Sequence, residues 1–361
     1  MNGAAGSVAD CICLVFRSRI LHAVGMRKRF RIWFVILLVA LVGVGAWFVL
    51  RPQGGRLIKG KTERDWIKSL NYSGDSAEAE QWRALGPEGI RMLIKALEAG
   101  NGPMESRYTW LWPKLPPFLR QRVPIPANSY KTRMCAVSML RRLGTDARSA
   151  VPAMIRTLRV EKLDGVRQGV IGCFDEDMLK GLGREKGELL PELVRAMQSS
   201  DWGLRNNAAI SLGCYPERAD VVAPVLVKAA HDSNVQVQLM AVGALYRVAP
   251  RLAGEPEMVQ IVINVLKDPD DQIAYRAATL LGEMGVQPSL AVPALIEALQ
   301  GTNTLVACTS AYALGKFKGQ ADTVVPVLVR GLNHSDGSVR SAAGRALKQI
   351  DPEAAVKAGV K

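Results

Sequence analysis

The chain has 361 residues, of which 48% are apolar and only 6% aromatic, and it carries a formal net charge of +14. Few aromatics in an apolar chain favour Ala/Leu/Val-rich helix packing over a β-rich core. Six basic residues stand against Asp10 in the first fifty, leaving +9 on the rest. That modest surplus fits a solvated surface and would also suit an anionic partner. The six cysteines make no disulfide framework. Cys135, Cys173, Cys214 and Cys308 fall in different Ala-rich segments and read as small buried apolar residues, while Cys11 and Cys13 lack a second pair to complete a zinc site.

Residues 1–31 read as a cytoplasmic basic segment that ends in the cluster RKRFR after Met26. Met26 itself is a second possible start. Residues 32–50, IWFVILLVALVGVGAWFVL, are free of charge and long enough for a single transmembrane helix, with Trp33 and Trp47 near its ends. The apolar run continues past Gly43 and Gly45, which argues for an uncleaved anchor over a cleaved signal peptide. The denser positive charge lies before the span, so the rest of the chain is expected on the extracytoplasmic side.

Residues 51–61 read as a linker. Residues 62–350 are expected to form one helical repeat domain, opened by an amphipathic helix at 60–70 with Trp66 and Leu70 on one face. A degenerate second helix follows at 77–86, carrying Trp82. Bulky aromatics suit the terminal repeat of a stacked array, where one end of the core must be closed.

A helix at 88–99 is followed by an insertion at about 101–128 with six prolines, which exclude a long helix. Aromatic and basic residues alternate in it: Arg107, Tyr108, Trp110, Trp112, Lys114, Phe118, Arg120 and Arg122, with Glu105 the only acid. These eight are the candidate partner-contact residues, because insertions in repeat arrays map to loops and often to the binding face. The alternative is a lid over the end of the array, with its tryptophans against Trp82. A shorter insertion at 176–187 reads as an ordinary connection.

From about residue 130 the sequence repeats roughly every 33 residues, the mark of stacked helix pairs. Pro152, Pro191, Pro224, Gln260, Pro293 and Pro326 align in the first helices, where proline suits the first turn. In the second helices Arg133, Arg167, Arg205, Gln238, Ala274, Ala307 and Arg340 form one column. Seven residues later comes an apolar one: Leu140, Phe174, Leu212, Leu245, Leu281, Leu314 and Leu347. Four residues before the first of these columns stand Ser129, Asp201, Asn234, Asp270, Asn303 and Asp336, residue types that cap helix N-termini. The Asp and Arg positions are expected to cap or to bridge adjacent repeats, and any ladder is interrupted at Gln238, Ala274 and Ala307. Asp351-Pro352 is expected to stop the last helix and leave 351–361 as a mobile tail.

The runs DGSVRSAAGRAL at 336–347, DWGLRNNAAISLG at 201–213 and AYRAATLLGEMG at 274–285 resemble HEAT repeats, most closely the bacterial branch similar to phycobilisome-lyase HEAT proteins. The resemblance covers roughly 62–350 and implies an all-α solenoid of about seven HEAT-like helix pairs. It is nearly silent about activity, since the family includes scaffolds, adaptors and a few enzymes or enzyme subunits.

No phosphate-binding glycine loop, nucleophile elbow or metal-ligand spacing occurs, and His22, His231 and His334 are isolated. No catalytic residue, cofactor, metal or small-molecule substrate is therefore expected. The expected function is a membrane-anchored scaffold or adaptor for a protein partner at a bacterial inner membrane. Two alternatives are a binder of an anionic polymer or nucleic acid through the basic aromatic insertion, and a non-catalytic subunit of an envelope enzyme complex. An extracytoplasmic solenoid disfavours nucleic acid.

Overall fold

A computed structural model describes residues 57–71, 76–99, 107, 110–120 and 129–360. The membrane span at 32–50, the basic segment before it, and Tyr108 and Arg122 of the insertion lie outside the described residues. No helix among the described residues is long and apolar enough to cross a membrane.

The chain divides into two compact units, Met1–Arg64 with Leu111–Ile125, and Asp65–Trp110 with Pro126–Lys361. In the first, β1 (Leu57–Ile58) pairs antiparallel with β2 (Lys61–Thr62). Lys59 and Gly60 both have positive φ, 47° and 82°, as a tight hairpin turn requires. Part of the expected linker is thus a hairpin. Within the insertion the described chain holds a short 3-10 turn, Trp112–Lys114, and a single helical turn, Pro117–Arg120, consistent with its proline content.

The second unit is a stack of helix pairs. It begins with α1 (Glu63–Lys68), which crosses the boundary between units, and α2 (Ser76–Ala84). Trp66 and Trp82 are buried and meet edge to face, with ring centroids 5.5 Å apart at 70°. Aromatic rings favour this geometry, and it closes the first end of the core.

Seven pairs follow. They are α3 (Pro87–Glu98) with α4 (Ser129–Leu143), and α5 (Val151–Val160) with α6 (Asp164–Ile171). Next come α7 (Arg184–Ala196) with α8 (Trp202–Leu212), and α9 (Ala219–Ala229) with α10 (Val235–Val248). Then α11 (Pro256–Val265) pairs with α12 (Asp271–Met284), and α13 (Pro288–Leu299) with α14 (Thr304–Leu314). The last pair is α15 (Ala321–Gly331) with α16 (Gly337–Ile350). The second helices stack in unbroken succession from α4 to α16.

The whole apolar column from Leu140 to Leu347 is buried between the two helix layers. Close approach is achieved by small residues. A Cβ on Gly282 would stand 2.8 Å from Ala313 Cα, and one on Gly315 3.1 Å from Ala346 Cα. The capping column holds at five positions. Asp201, Asn234, Asp270, Asn303 and Asp336 each accept an N–H from the first turn of α8, α10, α12, α14 and α16.

Two expectations are corrected. Pro191, Pro224, Pro293 and Pro326 do not open their helices but sit inside them; only Pro152 lies in a first turn. Each of the four is exposed, so water can take the one carbonyl that proline leaves without a donor. In the second pair, which the capping column skips, the cap position of α6 is Leu163, and Asp164 one place later pairs with Arg167. Residues 351–361 are not a loose tail through most of their length. Asp351 caps a further helix, α17 (Pro352–Lys357), which buries Ala355, and Val360 packs against Gly344.

Candidate functional site

The insertion presents its predicted residues unequally. Arg107 and Lys114 are exposed, and Trp110 is 64% exposed, so Trp110 is not buried against Trp82, whose ring partner is Trp66. Trp112 is half-buried, and the Arg120 guanidinium stands 6.0 Å from its ring centroid, in cation–π range. Phe118 lies in the turn Pro117–Arg120. A cation held over an aromatic face is a compact, partly apolar positive group, suited to a carboxylate flanked by apolar side chains.

Charge is concentrated here. Residues 101–160 hold eleven basic and two acidic residues, which equals the whole +9 surplus beyond residue 50. Some of this charge is internal. Arg133 of α4 makes a buried ion pair with Glu161, which also accepts the backbone N–H of Leu163. Arg156 and Arg159 reach Glu98 and Glu192. Arg141 and Arg142, both exposed at the end of α4, have no ion pair among the described residues.

Two arginines of the column, Arg133 and Arg205, bridge to the next repeat, while Arg167 pairs with Asp164 of its own helix. Arg205 of α8 grips Asp232, which lies in the turn between α9 and α10 of the next repeat. Arg340 instead donates to the carbonyls of His334 and Ser335 within its own repeat, at 2.7 and 2.8 Å. One regularity escaped sequence reading. Two residues before the cap, Ser199, Asp232, Asp268 and His334 each accept the backbone N–H of the capping residue, at 2.9 to 3.1 Å. Three residue types, Ser, Asp and His, serve one purpose, so no single letter runs through the column to reveal it.

Burial raises the Asp232 carboxyl, but the bonds from Arg205 and from the Asn234 backbone outweigh it and hold the group below the usual carboxylate range. Burial pushes the Cys173 thiol up to about 12, in keeping with a packing role. Cys135 is likewise buried, while Cys214 and Cys308 are only half-buried.

A cleft of about 330 Å³ opens beside the short helix Glu176–Lys180, lined by Lys180, Lys186, Cys214, Glu217 and Arg247 among others. Lys180 pairs with Glu176 and Lys186 with Glu217, both at 2.7 Å, so most of its charge is compensated. Among the described residues no group of three or more His, Cys, Asp or Glu is placed to hold a metal ion.

Tyr130 of α4, Trp202 and Ile210 of α8 and Leu305 of α14 are large apolar residues exposed on second helices. The second helices together carry eleven basic residues and three acidic ones, whereas the first helices carry nine of each.

Fold and surface together define an all-helical repeat solenoid. A family model described as HEAT repeats matches residues 223–306 and 292–358. No curated protein matches the chain in sequence. Among solved structures, an engineered protein from the Northeast Structural Genomics Consortium is 18% identical, covering 82% of this chain and 87% of that chain at a TM-score of 0.48. A designed armadillo repeat protein is 15% identical, covering 56% of this chain and all of that one at a TM-score of 0.43.

Proposed function

We propose that this chain is a membrane-anchored HEAT-repeat scaffold that binds a protein partner in a bacterial cell envelope and performs no catalysis of its own. The repeat fold supports an interaction role. The observation that carries the reading is the use of the recurrent polar residues: they cap helices and bridge repeats, so what remains for function is surface. The anchor at 32–50, the extracytoplasmic side, and the bacterial origin rest on sequence pattern and resemblance. An anchor would confine the solenoid to two dimensions and raise its effective concentration near membrane partners. Arg107, Trp110 and Lys114 of the insertion, each exposed, are candidate contact residues in this reading.

Crosslinking and pull-down from membranes, comparing the intact chain with one lacking 103–126, tests it. Loss of the main protein adduct in the deletion supports the insertion as a contact surface. Absence of any protein adduct with the intact chain overturns the scaffold reading. The charge concentrated in 101–160 favours a second reading, binding of an anionic polymer, which would weaken steeply with added salt.

A further inference from the structure

We propose that one edge of the array, where its first three second helices begin, is a contact surface for anionic lipid headgroups. The proposal rests on the membrane part of the reading above and adds a second membrane contact to the anchor.

One turn breaks the rule that the others follow. Five second helices open on a capping Asp or Asn, whereas the cap position of α6 is Leu163, which offers no side-chain acceptor and is 43% exposed. Val160, at the end of α5, is 63% exposed. The corresponding turns of the last four pairs, 231–234, 267–270, 300–303 and 333–336, carry no large apolar residue. Trp202, the first residue of α8, is 46% exposed at a position that holds Val, Asp, Thr and Gly in those pairs. A leucine at a cap forgoes the bond that Asp or Asn would make, and its exposure means that little packing is gained in return. Local rules are broken chiefly where function demands it.

Packing brings these side chains to one edge. The Glu161 carboxylate pairs with Arg133 of α4 and accepts the N–H groups of Lys162 and Leu163, both at 2.9 Å, which fixes the turn against α4. Arg195 of α7 donates to the Leu158 carbonyl at 2.8 Å and so joins the ends of α5 and α7. Tyr130, 46% exposed at the start of α4, has its hydroxyl 2.9 Å from where a Cβ on Gly165 would stand. Gly203, next to Trp202, lies against Gln168 of α6. Tyr130, Val160, Leu163 and Trp202 therefore project from neighbouring turns.

Charge and shape select the occupant. Lys131, Arg159 and Lys162 are exposed beside the four, and Lys162 makes no ion pair among the described residues. Glu98, Glu161, Asp164 and Glu192 are each held by an arginine, and the Asp201 carboxylate caps α8. Apolar side chains that project singly from turns suit a fluid surface better than a rigid one, and lysine is depleted at the core of protein interfaces. A nucleic acid duplex takes cations spaced along its phosphates and has no use for exposed valine and leucine. An anionic bilayer takes every group here. The aliphatic tips enter the acyl boundary, the Tyr and Trp rings lie at headgroup level, and the lysines reach the phosphates.

Photo-crosslinking on the full chain reconstituted in vesicles tests this. A crosslinking residue at Val160 is compared with one at Leu252, in the short helix Pro250–Ala253, and one at Val356 of α17, which are 44% and 74% exposed. The vesicles are phosphatidylcholine alone, or an equal mixture with phosphatidylglycerol. Lipid adducts are expected at Val160 in the mixed vesicles and at neither control position. Lys162→Glu is expected to lower the Val160 yield about fivefold or more. Leu163→Asn supplies the absent cap, so it should lower the yield while leaving the melting temperature unchanged or raised. Equal yields at the three positions, equal yields in the two kinds of vesicle, or an unchanged yield in Leu163→Asn overturns the proposal. So does a protein adduct in place of lipid at Val160 in native membranes. An alkaline carbonate wash of the vesicles separates the two readings. Release of the chain by the wash overturns the anchor, and the Val160 adduct still decides the edge. A chain that is retained without that adduct overturns the edge and keeps the anchor.

Discussion

Arg205 holds Asp232 with two parallel bonds, Nε to Oδ2 and Nη2 to Oδ1, both 2.7 Å long, and in doing so ties the third helix pair to the fourth. The pair is well shielded, with the side chains 13% and 12% exposed. Arg205 also donates to the carbonyls of Ser199 and Ser200, at 2.8 and 3.0 Å. One guanidinium thereby joins the turn of its own repeat to the turn of the next.

Asp232→Asn removes the charge but keeps the shape, leaving Arg205 shielded and without a counter-ion. The expected loss is about 2–4 kcal/mol. Urea denaturation of Asp232→Asn, Arg205→Gln and the double variant measures it. A coupling energy near zero would show that the two residues act independently.

The same pair makes stability depend on pH. The folded Asp232 carboxyl sits below its ordinary value, so its contribution is complete above the unfolded value of about 4. It disappears as pH falls through the depressed folded value. Wild type should therefore lose stability in acid faster than Asp232→Asn. Parallel stability–pH curves for the two proteins would contradict this.

Two glycines of second helices should respond oppositely to alanine. At Gly282 the new Cβ would meet Ala313 Cα and Cβ at 2.8 Å, so two helices must separate, at an expected net loss of about 1–3 kcal/mol. At Gly243 the nearest atoms are the Leu280 methyls at 3.8 Å. There the better helix propensity of alanine should raise stability by up to about 1 kcal/mol. Thermal melts of Gly282→Ala and Gly243→Ala check the contrast.

Removing residues 352–361 strips the cap from the last repeat. Ala355 is buried and Val360 lies against Gly344, so deletion exposes one side of α16. Each repeat of a solenoid leans chiefly on its neighbours. Hydrogen exchange should therefore quicken in α15 and α16 while α8 stays protected. Uniform loss of protection would mean that the array unfolds as one unit.

The repeat period, the buried column from Leu140 to Leu347 and the caps at Asp201, Asn234, Asp270, Asn303 and Asp336 were all legible in the sequence. Each depends on local rules: the helical spacing of apolar residues and the need of a helix end for a side-chain oxygen. The aligned prolines were legible as a column but misplaced, because a helix can begin earlier where its exposed carbonyls are free to bind water. The C-terminal helix was hidden because a start signal, Asp351-Pro352, reads equally well as a stop.

What the amino-acid order determined alone was therefore the architecture: paired helices, their number and the insertion that interrupts them. What only the tertiary structure decided was which residues face outward together. Arg205 meets Asp232 27 positions away in sequence, and Tyr130, Leu163 and Trp202 come to one edge although each lies in a different repeat. Periodicity tells which side of a helix is buried, but neighbourhood across helices arises from stacking. The second helices carry the net positive charge, eleven basic residues against three acidic, and stacking gathers those helices into one layer.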